Sequence, residues 1–183
     1  MKTPTARVPV HLVTGATGAD KRAFIRALAA ARPVAERWAV LDNDDGDIAR
    51  DAALSQLIVA AINGCACCTG AVALQVGIAQ LIRQARPQRL IIAAAGAAEP
   101  AALERALQQE DLARGITVSH RLCVVEPQLL AALPPPAYAL VQRQMAAANH
   151  VVAANAAAAA GLRAAGIPRV IHIEEAIRLV KAC

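Results

Sequence analysis

The sequence has almost no aromatic residues, and its basic residues form no cluster. Phe24, Trp38 and Tyr138 are the only aromatic side chains, so the chain offers no row of rings on which nucleic-acid bases could stack. The formal net charge is +5, but the arginines are scattered, and a diffuse basic balance is typical of a solvated surface. We therefore do not expect nucleic acid to be a partner.

Long apolar runs are also missing. No segment approaches the roughly 18 to 20 uninterrupted apolar residues of a membrane span. Near the N-terminus the apolar stretch Val8–Val13 is too short for a signal peptide and runs straight into Gly15. We expect a cytoplasmic protein without a membrane partner, in which the five cysteines are more often thiols or metal ligands than disulfides.

The abundant residues indicate one folded domain over residues 1–183. The chain is 57% hydrophobic, has a mean hydropathy of +0.41 and contains 47 alanines, which excludes a disordered protein. Short β-branched runs alternate with Ala/Leu-rich helical stretches, which is typical of βαβ units with a mostly parallel sheet covered on both faces. The predicted strands are Val8–Thr14, Trp38–Leu41, Leu57–Ile62, Leu90–Ala94, Ile116–Val125, His150–Ala153 and Val170–Ile173. The predicted helices are Lys21–Ala31, Val72–Arg86, Pro100–Gln109, Tyr138–Asn149, Ala156–Ala165 and Glu174–Lys181, with Pro134-Pro135-Pro136 as a loop.

The loop after the first strand has the position of a phosphate-binding loop. Gly15 and Lys21 are spaced as in G-x-x-x-x-G-K-[ST], between a strand and a helix N-terminus. Asp20 stands where the pattern has a second glycine, and Arg22 where it has the hydroxyl that binds magnesium. The added carboxylate would repel a phosphate, and arginine cannot ligate Mg²⁺. Alternatively, the glycines serve only a tight turn and Asp20 caps the helix.

The loops after the next two strands carry acids and cysteines. The segment from Asp42 to Asp47 holds four carboxylates in six residues, and three cysteines follow the third strand as Cys65, Cys67 and Cys68. Closely spaced thiolates favour a metal ion such as zinc, with cobalt or Cu(I) as alternatives. Redox exchange and simple burial are the competing interpretations. The other two cysteines are predicted as a strand core residue, Cys123, and a free thiol, Cys183.

These segments, in their order, resemble the CobW-type P-loop GTPases and metallochaperones. The glycine-rich loop G-x-x-G-x-G-K-T is similar to Gly15–Arg22, and N-G-C-x-C-C is intact as Asn63–Cys68. The remaining similar segments are Asn43–Asp47 to N-E-F-G-E, Ile91–Pro100 to h-h-E-T-x-G-x-A-D-P, and Gln144–Ala157 to Q-x-x-x-A-D-x-h-h-h-N-K-x-D.

The resemblance implies a three-layer P-loop NTPase-like fold and two sites. Gly15, Gly18, Lys21 and Gly96 would be the nucleotide-binding residues. Cys65, Cys67, Cys68, Asp47 and Asp42 would be the metal ligands, for zinc or for cobalt or nickel.

The departures from the family pattern fall mainly on the nucleotide site. Ala93 replaces the fourth-strand glutamate, and Ala154-Asn155-Ala156-Ala157 lacks the carboxylate that reads guanine. The resemblance therefore implies a metal-binding pseudo-GTPase without catalytic residues, for which GTP and Mg²⁺ are doubtful cofactors.

Three functional hypotheses stay open. The first is a metallochaperone that transfers its ion to a recipient metalloprotein. The second is a GTP hydrolase with a variant loop. The third is a non-catalytic interaction module that pairs with an intact homologue or forms a homodimer. Among the four histidines, each in or beside a predicted strand, only His120 is a candidate for a role beyond the core.

Overall fold

The computed structural model describes residues 7–44, 46, 48–62 and 70–183. The strands are β1 (Val8–Gly15), β2 (Trp38–Asp42), β3 (Ile58–Ala61), β4 (Arg89–Ala93), β5 (Ile116–Val124), β6 (His150–Ala153) and β7 (Val170–His172). The helices are α1 (Lys21–Ala30), α2 (Gly70–Ala85), α3 (Pro100–Leu107), α4 (Glu110–Ala113), α5 (Pro127–Ala132), α6 (Pro135–Ala147), α7 (Ala156–Ala164) and α8 (Ile173–Lys181), with a short 3-10 helix at Ala52–Leu54. None of these helices is long and apolar enough to cross a membrane.

The seven strands form one sheet in the order β3-β2-β4-β1-β5-β6-β7, and every pairing is parallel. This confirms the predicted α/β fold with helices around a parallel sheet. The central strand β1 lies between β4 and β5, so the loops that follow these three strands meet at the carboxyl edge. That edge is where open parallel sheets bind ligands.

Apolar side chains of alternating residues cover the two faces of the sheet. Val13 of β1 packs on the face covered by α1 and α8, and Leu12 packs on the opposite face with α2 and α3. All residues of β2 and β4 are buried, as expected for strands that are covered on both sides. The core therefore leaves few polar groups inside the fold, and those few are informative.

The proline-rich segment differs from the prediction of a loop. Pro134 caps α6, and Pro135 and Pro136 form its first turn. Proline fits there because the first N–H groups of a helix have no intrahelical partner. The short helices α4 and α5 were also not predicted, since four and six residues are too few to show a helical period.

Candidate functional site

Close backbone contacts hold the loop between β1 and α1 against its neighbours. A Cβ atom on Gly96 would lie 2.3 Å from the Thr17 nitrogen, so only glycine allows this approach of the loop after β4. Gln144 of α6 fixes that second loop, because its Nε2 donates to the carbonyls of Gly96 at 3.1 Å and Ala98 at 3.0 Å. Gly15 is equally restricted, since its Cβ would lie 2.6 Å from the Val124 carbonyl oxygen.

Lys21 is turned into the protein at the start of α1. Its side chain is 1% exposed, and Nζ donates to the carbonyl oxygens of Gly15 at 3.2 Å and Ala16 at 3.0 Å. The carboxylate of Asp44 lies 3.1 Å from the same ammonium. An ammonium has three protons to donate, and these three acceptors match that number. Lys21 therefore joins the loop after β1 to the loop after β2.

Two N–H groups at the start of α1 are bonded to carboxylates of the chain itself. The Asp20 N–H donates to the carboxylate of Glu126 at 2.7 Å, and the Asp20 carboxylate accepts the Ala23 N–H at 2.8 Å. The second bond confirms that Asp20 caps α1. A phosphate would need these donors and would meet two carboxylates. Gly18 lies at the exposed tip of the loop, and the Arg22 side chain is exposed on α1.

Glu126 was missed by the sequence interpretation. Only the loops after the first four strands were considered for ligands, but Glu126 follows β5, the other neighbour of β1. The signal that could have found it is a carboxylate just beyond the carboxyl end of a central strand.

A cleft of about 620 Å³ lies beside this loop. Its walls are mostly apolar, and among the residues that the structure describes, Asp20 and Glu126 are the only ionisable ones in the lining. Asn155 lines the cleft as well, but its side chain accepts the Ala158 N–H at 2.9 Å and so caps α7. The volume suits a small organic ligand, but the charge of the lining is wrong for a triphosphate.

The proposed metal loops are only partly described. Cys65, Cys67, Cys68 and Asp47 lie outside the described residues. Asp42 is fully buried at the end of β2, and its two carboxylate oxygens accept the backbone N–H groups of Asp44 and Ala49, both at 2.9 Å. Asp42 thus holds the shape of the loop that carries Asp44.

The remaining predicted residues do not line this cleft. Cys123 is buried in β5, as predicted, and burial raises the pKa of its thiol to about 11. Cys183 is an exposed free thiol whose sulfur lies 3.8 Å from Nδ1 of His120. His120 also contacts His11 of β1, a residue to which the sequence interpretation gave no role.

Known proteins resemble this chain in sequence and in fold. Residues 9–163 match the family described as CobW/HypB/UreG, nucleotide-binding domain. The zinc chaperone YeiR of Escherichia coli is 33% identical over 146 residues, which are 78% of this chain and 44% of YeiR. The zinc chaperone CobW of a Sinorhizobium species is 30% identical over 137 residues, which are 69% of this chain and 38% of that protein.

A solved structure supports the same fold. The Zn(II)-bound YjiA GTPase of E. coli superposes with a TM-score of 0.63 at 15% identity, over 92% of this chain and 57% of YjiA. At this identity the likeness concerns the fold alone. The chain spans less than half the length of the two curated relatives that it matches. With its strand order, its loop after β1 and a family match over residues 9–163, the chain belongs to the CobW/HypB/UreG family.

Proposed function

We propose that this chain is a metal-binding protein of the metallochaperone type whose nucleotide site has lost its function. Cys65, Cys67 and Cys68 supply three thiolates, and Asp47 supplies a carboxylate for the same ion. Thiolates with one harder ligand suit zinc, and cobalt or nickel are the alternatives. Two relatives that are named zinc chaperones support this choice of ion.

One observation is the main support for the proposed loss of nucleotide binding. The Lys21 ammonium, which would reach the phosphates of a bound nucleotide, is buried against two carbonyls and the Asp44 carboxylate. Glu126 occupies the Asp20 N–H, a donor that a phosphate would need. The groups present do not fit GTP and Mg²⁺, and no step of the proposed function uses them.

Asp42 contributes mainly by holding the acidic loop. Each of its oxygens already accepts one backbone N–H, which orients the segment between β2 and the 3-10 helix. A carboxylate oxygen can accept more than one bond, so Asp42 retains capacity for an ion. The ion is cargo in this proposal, and a recipient metalloprotein is the expected partner.

Zinc titration of the reduced protein tests the metal site. We expect one tightly held equivalent in the unmodified chain and its loss in the Cys65→Ser/Cys67→Ser/Cys68→Ser variant, because serine supplies no soft thiolate. Cys123→Ser is the matched control, since that thiol is buried in β5. Tight binding that survives the triple substitution contradicts the proposed ligands.

Calorimetric titration with Mg-GTP tests the nucleotide site. We expect binding no tighter than millimolar, because the lining acids oppose the phosphates. The cleft beside Asn155 keeps a ligand-sized volume, and this favours a GTP-binding protein as the second candidate function. Micromolar binding of GTP that Lys21→Met abolishes would establish that candidate and overturn the pseudo-GTPase.

A further inference from the structure

The two acids that line the cleft beside the loop after β1 differ from most other acids of the chain. Seven acids elsewhere in the described part of the structure each pair with a lysine or an arginine. Asp20 and Glu126 have no such partner among the described residues, although the chain contains 19 lysines and arginines. Their charge is therefore available to a group from outside the chain.

The basic side chains next to Asp20 in the sequence are engaged elsewhere. Arg26 of α1 is influenced by the charge of Asp20, but its Nη2 donates to Asp51 at 2.9 Å. The charge of Arg22 also acts on Asp51. Lys21 is turned into the protein. The part of the cleft lining that the structure describes contains no lysine or arginine, so its negative charge is not compensated there.

Each of the two carboxylates is held by one of its oxygens. Oε1 of Glu126 accepts the Asp20 N–H at 2.7 Å, and Oδ1 of Asp20 accepts the Ala23 N–H at 2.8 Å. The first bond brings the Glu126 carboxylate to the backbone of Asp20, so both acids lie at the same part of the cleft. The second oxygen of each acid has no donor among the described residues. Two positioned acceptors thus remain for a ligand.

The rest of the cleft is an apolar cavity of about 620 Å³. Val124 and Val152, at the carboxyl ends of β5 and β6, line it together with Ile173 and alanines of α7. Cavities of this size bind small organic molecules and bury most of their surface. The Asn155 side chain already caps α7. A complementary ligand therefore combines an apolar body with a positive charge.

We propose that this cleft binds an organic cation, namely a protonated amine that carries an apolar body. Its ammonium donates to the carboxylates of Asp20 and Glu126, and charge-assisted bonds of this kind are stronger than neutral ones. Its body packs against Val124, Val152 and Ile173. This ligand goes beyond the proposed metal binding, and it rests on the proposed function only in that GTP does not fill the cleft.

An inorganic cation fits the cleft poorly. No three His, Cys, Asp or Glu side chains in the described ranges could hold a metal ion. Hard ions such as Mg²⁺ and Ca²⁺ need about six or more oxygen ligands, which apolar walls do not supply. One feature opposes any cation, because the positive end of the α7 dipole also lies at the cleft. We therefore expect a dissociation constant of about 100 μM for a small amine.

Calorimetric titration with phenylbutylamine tests the proposal on the metal-free chain, with EDTA present and no nucleotide. We expect one equivalent to bind and the Asp20→Asn and Glu126→Gln substitutions each to weaken binding at least tenfold. Asparagine caps a helix as well as aspartate does, and glutamine keeps an oxygen for the Asp20 N–H, so both variants should fold. Asp111→Asn is the matched control, because it removes an exposed acid of α4 that does not line the cleft, and it should leave the affinity unchanged.

Two further ligands separate the contributions of charge and body. Phenylbutanol has the same body without the charge, and ethylamine has the charge without the body, so each should bind at least tenfold more weakly than phenylbutylamine. Equal binding of the amine and the alcohol, or amine binding that neither acid substitution weakens, overturns the proposal. Absence of amine binding, with or without binding of guanosine, overturns it as well. The zinc and Mg-GTP titrations decide the proposed function whatever the amine does, so the two proposals fail separately.

Discussion

Two buried cations stand at opposite edges of the sheet, and both are bound to groups of the chain itself. Lys21, at the carboxyl edge, is held by two carbonyls and Asp44. Arg89, at the amino edge, is 7% exposed and pairs with Glu36 at 3.0 Å while its guanidinium lies 5.5 Å from the centre of the Trp38 ring. Its remaining acceptors are the carbonyl oxygens of Val180, Lys181 and Cys183.

The difference between them lies in what each cation connects. Arg89 ties the end of α8 to the first residue of β4, far from the ligand edge, and its role is structural. Donation from the Trp38 indole and from Arg89 holds the pKa of Glu36 below its usual value, so this acid stays charged. Lys21 has the position of a ligand-binding lysine but the bonding of a structural one. A residue in a motif is therefore a poor guide to function until its hydrogen-bond acceptors are known.

The largest expected effect on stability is that of a substitution at the amino edge of the sheet. Arg89→Ala removes the ion pair and three bonds to carbonyls, and it leaves these acceptors buried or half-buried without a donor. We expect a loss of about 3 to 4 kcal/mol of unfolding free energy in urea denaturation. Arg83→Ala, on the exposed side of α2, is the matched control and should change stability by less than about 0.5 kcal/mol. Equal effects of the two substitutions would contradict a structural role for Arg89.

The substitution Lys21→Met tests the cation at the carboxyl edge. Methionine keeps most of the buried aliphatic volume but removes the ammonium from Asp44, whose side chain is 23% exposed and so can be partly solvated. We expect about 2 kcal/mol of destabilisation in urea, less than for Arg89. Unchanged stability would mean that Lys21 is not a structural residue, and the comparison between the two cations would fail.

The fold was largely predictable because its strands are apolar runs. The predicted limits of β1, β2 and β6 differ from the structure by at most one residue, since Gly15, Asp42 and Ala154 mark where an apolar run meets a polar or turn segment. The loop after β1 was also recognised, and the capping role of Asp20 was one of the two interpretations that the sequence left open. These features depend on residues that are close in the sequence.

The bonding at the site was not predictable for the opposite reason. Glu126 meets Asp20 across 106 residues, and Arg89 meets the Cys183 carbonyl across 94. The sequence pattern placed Lys21 and Asp44 in two separate motifs, and nothing in either motif states that they pair. Long-range partners depend on strand order, and the order β4-β1-β5 is what brings the loops after β4 and β5 against Gly15–Arg22.

Acid titration tests the buried histidine beside Arg89. The folded pKa of His11 is lowered from 6.5 to about 3, so between these values the unfolded chain binds a proton that the native chain does not. Stability from this group is fully present well above the unfolded pKa of 6.5 and is lost as the pH falls toward 3, at up to about 1.4 kcal/mol per pH unit. His11→Leu should flatten this slope in urea denaturation measured from pH 7 to pH 4. A shallower residual slope should persist, since burial also lowers the pKa of His120.

The smallest effect on stability is expected at Glu126. Glu126→Gln keeps an oxygen that can accept the Asp20 N–H but removes a negative charge, so we expect a change within about 0.5 kcal/mol. The Glu126→Gln substitution is most informative together with Asp20→Gly. The double variant lacks the two acids that line the described part of the cleft. We expect the double variant to bind inorganic pyrophosphate in the millimolar range by calorimetry, about 4 kcal/mol, and the unmodified chain to show no binding. Adding Lys21→Met should abolish this gain if the ammonium can leave Asp44 for a phosphate. If binding persists without Lys21, the lysine is structural even when the acids are gone, and the two buried cations then have the same role.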